Sequence, residues 1–134
     1  MAKKINYIYA TGKRKESTAR VRIFRGKGKN LVNAIPVEKY FVGNISEAIW
    51  ERPFSVTETF NKYYFSAKVS GGGKNSQLEA LSHGLSRALS KASVEKFRPP
   101  LKRLGLLTRD ARTRQRRMVG MGGKSRRKKQ SPKR

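Results

Sequence analysis

The sequence contains no cysteine, one histidine and only eight acidic residues among 134, and none of the acidic residues lies in the last 24 positions. Without cysteine there is no disulfide, no thiolate metal site and no thiol nucleophile, and the composition fits a reducing compartment. The start of the chain lacks the apolar run of about 7 residues that a secretory signal needs, and no stretch approaches the roughly 18 apolar residues of a membrane span. We therefore expect a soluble intracellular protein with no membrane partner.

Residues suited to catalysis are scarce. The single histidine, His83, falls beside the leucine stripe of a predicted helix and has no obvious carboxylate partner. The carboxylates are scattered along the chain, and Glu79 is interpreted as part of a helix cap. We therefore predict no enzyme activity, no catalytic residue, no metal site and no cofactor.

Positive charge is the dominant property of the chain. Lys and Arg number 33, which gives a formal net charge of +25, and eleven of these cations fall in positions 111–134, which have almost nothing apolar for a core. Charge this dense and one-sided should keep that segment disordered in the free protein. The sequence predicts a globular RNA-binding body at 1–110 and a basic tail at 111–134, with nucleic acid as the partner.

Hydrophobic periodicity predicts the elements of the body. Strands are expected at 5–10 and 18–24, the second with Ala19, Val21 and Ile23 on one face and Arg20 and Arg22 on the other. A basic loop at 11–15 is expected between them. Short helices are predicted at 37–42 and from Asn44 or Ser46 to a stop before Pro53, followed by a central strand at 60–70.

The second half of the body is predicted from a capping pattern and a proline pair. Ser76 and Glu79 are typical of a capping box opening a long helix at 76–96, whose leucine stripe packs on the sheet. Pro99 and Pro100 should break regular structure. We expect 98–110 to be an extended segment of the body that crosses it before the tail begins.

Three features point toward phosphate or bases, each with a structural alternative. The glycine-rich turn at 71–74 lacks the spacing of either nucleotide-binding fingerprint, so it is a plain turn or one that also meets an RNA phosphate. Tyr7, Tyr9 and Tyr64 could stack on bases, although core packing is the favoured interpretation. The cations of 13–15 and of the Arg20/Arg22 face, flanked by Gly12, Gly26 and Gly28, are expected to contact RNA rather than only solvent.

Two stretches resemble a known family. Residues 10–15 (ATGKRK) with 19–21 (ARV), and 71–77 (GGGKNSQ) with Ala80, Gly84 and 86–89 (SRAL), are similar to the small-subunit ribosomal protein S-nine family of bacterial type. The segment 106–110 (LLTRD) before an arginine-rich tail also fits. The resemblance covers essentially the whole chain.

The resemblance implies an α+β fold: one small domain with a mixed sheet packed by helices, as in the second domain of ribosomal protein S-five, with a left-handed strand-helix-strand crossover. It implies a structural protein in the head of the small ribosomal subunit, beside neighbouring head proteins. Its body would bind ribosomal RNA, and its tail would reach transfer RNA in the peptidyl site. The location would be the cytoplasm, within the ribosome, with an organellar ribosome left open.

The basic residues and the family resemblance together give the expected RNA contacts. For transfer RNA they are Lys133 and Arg134, preceded by Pro132 where the family usually has serine. The ribosomal-RNA candidates are Lys13, Arg14, Lys15, Arg20, Arg22, Lys27, Lys29, Lys74, Arg109, Arg112, Arg114, Arg116, Arg117, Lys124, Arg126, Arg127, Lys128 and Lys129. Composition alone also permits a free-standing RNA or DNA chaperone, which would coat nucleic acid without a specific binding site.

Overall fold

Strands and helices occur in an irregular order in the computed structural model, which describes residues 7–120 and 122. The elements are β1 (Ile8–Arg14), β2 (Ser17–Arg25), β3 (Leu31–Val32), β4 (Ile35–Pro36), α1 (Val37–Tyr40), α2 (Asn44–Thr57), β5 (Tyr63–Ser70), α3 (Lys74–Ala92) and α4 (Val94–Arg103). Their spatial order in the sheet is β1-β2-β5-β3-β4. Because β3 runs parallel to β5 while the other pairs are antiparallel, the sheet is mixed. This confirms the predicted single α+β domain and places β5 at the centre.

The core lies between the sheet and α3. Along β2 the side chains of Ala19, Val21 and Ile23 are buried while the alternate residues are not. Leu81 and Leu85 of α3 are fully buried against this surface. The period of two in β2 and the helical spacing in α3 therefore meet along one apolar layer, as the sequence predicts.

Strand β1 lies at the edge of the sheet and is held closely by α3. A side chain on Gly12 would collide with the backbone of Ala80 and Gly84, and one on Gly84 would come within 2.8 Å of Val21 Cγ2. The exposed carbonyl of Tyr9 accepts a hydrogen bond from Lys91 Nζ at 2.9 Å. Gly12 therefore serves helix packing, and a close approach of its backbone to phosphate stays a prediction.

The predicted basic loop at 11–15 is also wrong, because β1 continues through Arg14 and pairs with β2 as far as Ser17. The turn is confined to Lys15 and Glu16, with Lys15 at φ 53°. The buried face of this half-strand is made by Ala10 and Gly12. Residues this small give little apolar signal, which is why the alternation was not apparent in the sequence.

Two helices continue through proline, contrary to expectation. Helix α2 includes Pro53 and α4 includes Pro99 and Pro100. An interior proline costs on the order of 3 kcal/mol because it removes a hydrogen bond and crowds the preceding turn. Buried neighbours offset this cost: Phe54 stacks on Phe65 at 6.1 Å between centroids, and Leu101 is fully buried.

Helix α3 begins earlier than predicted, at Lys74, with Gly73 as its N-cap and no side-chain cap hydrogen bond. Ser76 is therefore not the cap. Gly71 and Gly72 have φ of +78° and +56°, which favours glycine, and both lie against the β1–β2 turn at Glu16 and Ser17. The glycine-rich turn thus has a structural role, whatever else it contacts.

Candidate nucleic-acid interface

The face of the sheet opposite α3 carries polar, cationic and aromatic side chains. We define the open face by its outward residues on β1, β2 and β5 and the residue preceding β1: Tyr7, Tyr9, Thr11, Arg20, Arg22, Phe24, Tyr64, Ser66 and Lys68. Tyr9 is paired with Arg22, and Arg22 with Ser66, across the strands. Arg20 and Lys68 are direct partners in the register of β2 with β5. Because inward residues alternate with these, the open face follows from the same periodicity that builds the core.

Aromatic rings line one end of the open face. Phe24 stacks on Tyr64 with centroids 5.1 Å apart, and Tyr7 packs on Phe24 at 5.9 Å. The Arg22 guanidinium lies 5.0 Å from the centroid of the Tyr7 ring. Tyr7 and Tyr9 remain 46% and 43% exposed, so the expectation that they belong to the core is wrong.

The cations of the open face have no ion-pair partner within the described residues. The salt bridges found in this part of the chain join Arg14 and Arg112 to Glu79 and Asp110. Arg20, Arg22 and Lys68 are exposed and take part in none of them. The open face is therefore a positively charged surface available to an external anion.

The other predicted contacts fall into groups. Lys13 and Lys15 lie near the β1–β2 turn, which the glycine-rich turn before Lys74 touches. Lys27 and Lys29 follow the opposite end of β2, and these residues are exposed. A third group lies after α4 and is also exposed: Arg109, Arg112, Arg114, Arg116 and Arg117. The remaining candidates lie outside the described residues: Lys124, Arg126, Arg127, Lys128, Lys129, Lys133 and Arg134. RNA contact by each stays a prediction.

Arg14 has a different environment, because its side chain is only 11% exposed. Its Nε donates to Glu79 at 2.6 Å, and its Nη1 donates to the carbonyl of Arg112 at 2.6 Å and lies 3.3 Å from Asp110. Asp110 in turn binds Arg112 Nη2 at 2.7 Å. We call Arg14, Glu79, Asp110 and Arg112 the clasp, since it attaches the segment before the tail to β1 and α3.

The hydrogen bonds of Arg112 and the nearby Arg14 hold the pKa of Asp110 well below its usual range, so the carboxylate stays charged. Glu79 forms an ion pair with Arg14, and α3 has no side-chain cap hydrogen bond, so Glu79 does not act as part of a helix cap. RNA contact by Arg14 stays a prediction, while its internal contacts give it a structural role.

His83 lies beside the clasp and also contacts the segment before the tail. Its Nδ1 accepts from the amide of Lys13 at 3.3 Å, and its Nε2 is 3.2 Å from the carbonyl of Leu107. Burial is the main cause that lowers the pKa of His83, and Arg87 and Arg109 lower it further against the raising effect of Leu107. The neutral ring protonated on Nε2 satisfies both partners. His83 therefore joins β1 to the segment before the tail through one contact on each ring nitrogen.

Sequence reasoning missed two contributors. Lys68 is one of them, because only the register of β5 with β2 shows that it lies opposite Arg20. Asp110 joins Arg14 across 96 positions of sequence, and no local pattern signals such a pair. The alternation around Lys68 could have suggested the first.

Every helix among residues 7–120 is too short or too polar to serve as a membrane span. A small α+β domain with one exposed cationic and aromatic sheet face is typical of nucleic-acid-binding proteins. Comparison with known proteins narrows this class. A family model described as ribosomal protein S9/S16 matches residues 12–134.

Two curated relatives carry the name small ribosomal subunit protein uS9. That of Desulfotalea psychrophila is 47% identical over 116 residues, covering 87% of this chain and 88% of the relative. That of Maridesulfovibrio salexigens is 42% identical over 118 residues, covering 88% and 90%. The chain belongs to the ribosomal protein S9/S16 family, which confirms the resemblance predicted from the sequence.

Proposed function

We propose that this chain is a structural constituent of the small ribosomal subunit that binds ribosomal RNA through its body and contacts transfer RNA in the peptidyl site with its tail. Family membership makes it a bacterial-type ribosomal protein of the small subunit, acting in the cytoplasm within the ribosome. Its relatives are named as ribosomal proteins, a structural rather than an enzymatic family. The finer contacts are our inference.

The observation that carries the RNA proposal is the open face, where exposed cations have no described carboxylate partner. Leaving several cations uncompensated side by side costs self-repulsion, which an external polyanion removes. The mechanism is electrostatic: Lys and Arg neutralise phosphates and release counterions, while the RNA fold supplies the shape. Neighbouring head proteins would complete the surroundings.

The clasp supports a division into body and tail. It ties Asp110 and Arg112 to Arg14, so the chain leaves the body at a fixed place. Residues 111–118 have no regular structure and are exposed. We propose a body at 1–110, with 98–110 partly helical rather than extended, and a tail at 111–134 that orders on RNA. Fully extended, such a tail spans up to about 80 Å.

Co-sedimentation with small subunits at moderate salt tests whether the chain binds specifically to the small ribosomal subunit. The full chain should sediment with the subunit in stoichiometric amounts. Its affinity for small-subunit RNA should fall linearly with salt on a log-log plot, by about 0.7 to 0.9 log units per phosphate contact for each tenfold increase in salt. A chain truncated after Arg112 keeps the clasp and should show a smaller slope. Binding spread over any RNA without saturation at the subunit would instead favour the free-standing chaperone.

The transfer-RNA contact is tested by deleting Lys133 and Arg134, which lie outside the described residues. Incorporation into the subunit should be nearly unchanged because many other cations anchor the protein. Affinity for peptidyl-site transfer RNA should fall by about 1 kcal/mol at low salt, and the difference from the parent should shrink as salt screens the lost contacts. Equal affinity at every salt concentration would contradict the proposed contact.

A further inference from the structure

Two adjoining clefts lie on the open face. The first, of about 410 Å³, is lined on one side by Tyr7 and Tyr9. The second, of about 680 Å³, is lined on its far side by Leu31 and Ala34. Both clefts share Arg20, Ser66, Ala67 and Lys68. The shared residues therefore form a boundary between two depressions.

This boundary is cationic. Arg20 and Lys68 are direct partners across β2 and β5, and opposite residues in such a pair have Cβ atoms about 4.5 to 5.5 Å apart. Like charges in that position destabilise the sheet. Neither cation forms an ion pair with a carboxylate in the described part of the chain. The two side chains are close enough to bind one phosphate together.

The first cleft offers an aromatic ring for stacking. Phe24 and Tyr64 are stacked on each other, and Tyr7 is engaged by Phe24 and by the Arg22 guanidinium. Tyr9 is 43% exposed and has no aromatic partner among the described residues. Its ring thus lacks the aromatic and cation contacts that engage Tyr7 and is available to a ligand. The far side of the second cleft combines the apolar Leu31 and Ala34 with the amide of Asn33, a surface that suits a second flat base.

We propose that the open face binds two consecutive unpaired nucleotides of RNA, with one base in each cleft, the linking phosphate on Arg20 and Lys68, and the first base stacked on Tyr9. This inference rests on the proposed ribosomal-RNA binding and specifies its substrate class. A duplex does not fit this arrangement, because its bases are stacked on one another and only its backbone and groove edges are exposed. Unpaired bases can be splayed onto aromatic side chains.

The test uses the full chain and a uridine oligonucleotide of about 8 nucleotides that carries one 2-aminopurine, a length within the usual site size for single strands. The basic tail will bind any RNA, so the readout must be local to the base. Stacking on Tyr9 should quench the 2-aminopurine fluorescence. Tyr9→Leu should remove at least half of the quenching while total binding, followed by anisotropy, changes less than about twofold because other cations remain.

Phe60→Leu is the matched control. Phe60 is 46% exposed, packs on Phe54 and does not line either cleft. It should leave the quenching unchanged. Replacing both Arg20 and Lys68 by Gln should reduce quenching and lower the salt slope by about 0.7, the single-strand value for the one phosphate that they share. Thermal unfolding of each variant verifies that the fold is intact.

The same strand annealed to its complement separates the two kinds of RNA. We expect binding of the duplex to be insensitive to Tyr9→Leu. Quenching that survives Tyr9→Leu, or equal Tyr9 dependence with the duplex, would overturn the inference while leaving ribosomal-RNA binding intact. Failure of the full chain to bind small-subunit RNA would instead overturn the proposed function and this inference with it. In assembled subunits, an ultraviolet cross-link from Tyr9 to a protein rather than to an unpaired nucleotide would also overturn the inference.

Discussion

Arg14 and Arg20 lie on neighbouring strands of one hairpin, yet their surroundings are opposite in charge. Arg14 is bound by Glu79 and Asp110 and has little exposed surface. Arg20 faces Lys68 on the open face and has no carboxylate partner among the described residues. In a chain with 33 cations and eight acids, the position of the acids separates structural cations from those available to RNA.

The comparison also explains how the two regions cooperate. In the clasp, the carboxylates of Glu79 and Asp110 form ion pairs that attach the segment before the tail. Among the described residues, no carboxylate forms an ion pair with a cation of the open face. Both regions rest on α3, which carries Glu79 and packs beneath β1 and β2. Damage to α3 should therefore affect both, whereas changes at the clasp or the open face should affect one.

The largest effect is expected for Leu85→Ala, because Leu85 is fully buried. The free energy of unfolding should fall by about 2 to 5 kcal/mol from lost burial and the cavity left behind. Chemical denaturation measures this change. Leu104→Ala, at a residue that is 49% exposed, is the control and should stay within about 0.5 kcal/mol of the parent. A Leu85→Ala protein as stable as the parent would remove α3 as the common support.

A smaller effect is expected for Gly84→Ala, whose added methyl would contact Val21 Cγ2 and the backbone of Gly12. Such overpacking typically costs about 1 to 3 kcal/mol. Because it pushes α3 from β1, the clasp should loosen more than the pairing of β2 with β5. Amide hydrogen exchange separates the two: faster exchange at Leu106 with unchanged exchange at Ala67 is expected, and uniform acceleration would contradict this asymmetry.

The smallest effect concerns pH. His83 is neutral in the folded protein because burial lowers its pKa, so its contribution is present above its ordinary value of about 6.5 and is lost as the pH falls through the folded value. Asp110 also has a lowered pKa, and its contribution should be lost only in stronger acid. The opening equilibrium at Leu106, whose amide donates to Leu101, is obtained by dividing the observed amide exchange rate by the intrinsic rate at each pH, and it should rise modestly from pH 7 to pH 5.

His83→Gln supplies the control for this titration, since glutamine keeps polar atoms at the site without a proton equilibrium in this range. The variant should show no such rise between these pH values. An identical rise in the variant would assign the effect to another group.

The sequence was sufficient to predict the strands and helices in which hydrophobic periodicity coincides with burial. The alternation of β2 predicted both its core face and the outward Arg20 and Arg22, and the leucine spacing predicted α3. It was insufficient where tertiary packing overrides local preference: Pro53 and Pro99 lie within helices because neighbouring apolar residues are buried. Ser76 fits a capping box, but α3 starts two residues earlier at the glycine-rich turn.

The candidate site was predictable in residue type more than in arrangement. Charge alternation identified the cationic strand, but the partnership of Arg20 with Lys68 depends on β-sheet register. The clasp joins residues 65 and 98 positions apart through hydrogen bonds of Arg14 to Glu79 and Arg112. Such pairs arise only once α3 and the segment after α4 have folded against β1.

The central claim is tested most directly by comparing Arg14→Gln with Arg20→Gln, since both remove one charge from the same hairpin. Unfolding free energy and the salt dependence of binding to small-subunit RNA are measured for each. Arg14→Gln should lose about 1 to 3 kcal/mol of stability and keep the parent's salt slope. Arg20→Gln should stay within about 0.5 kcal/mol of the parent's stability and lower the salt slope by up to about 0.7. Equal effects of the two substitutions, or the reverse pattern, would contradict the account.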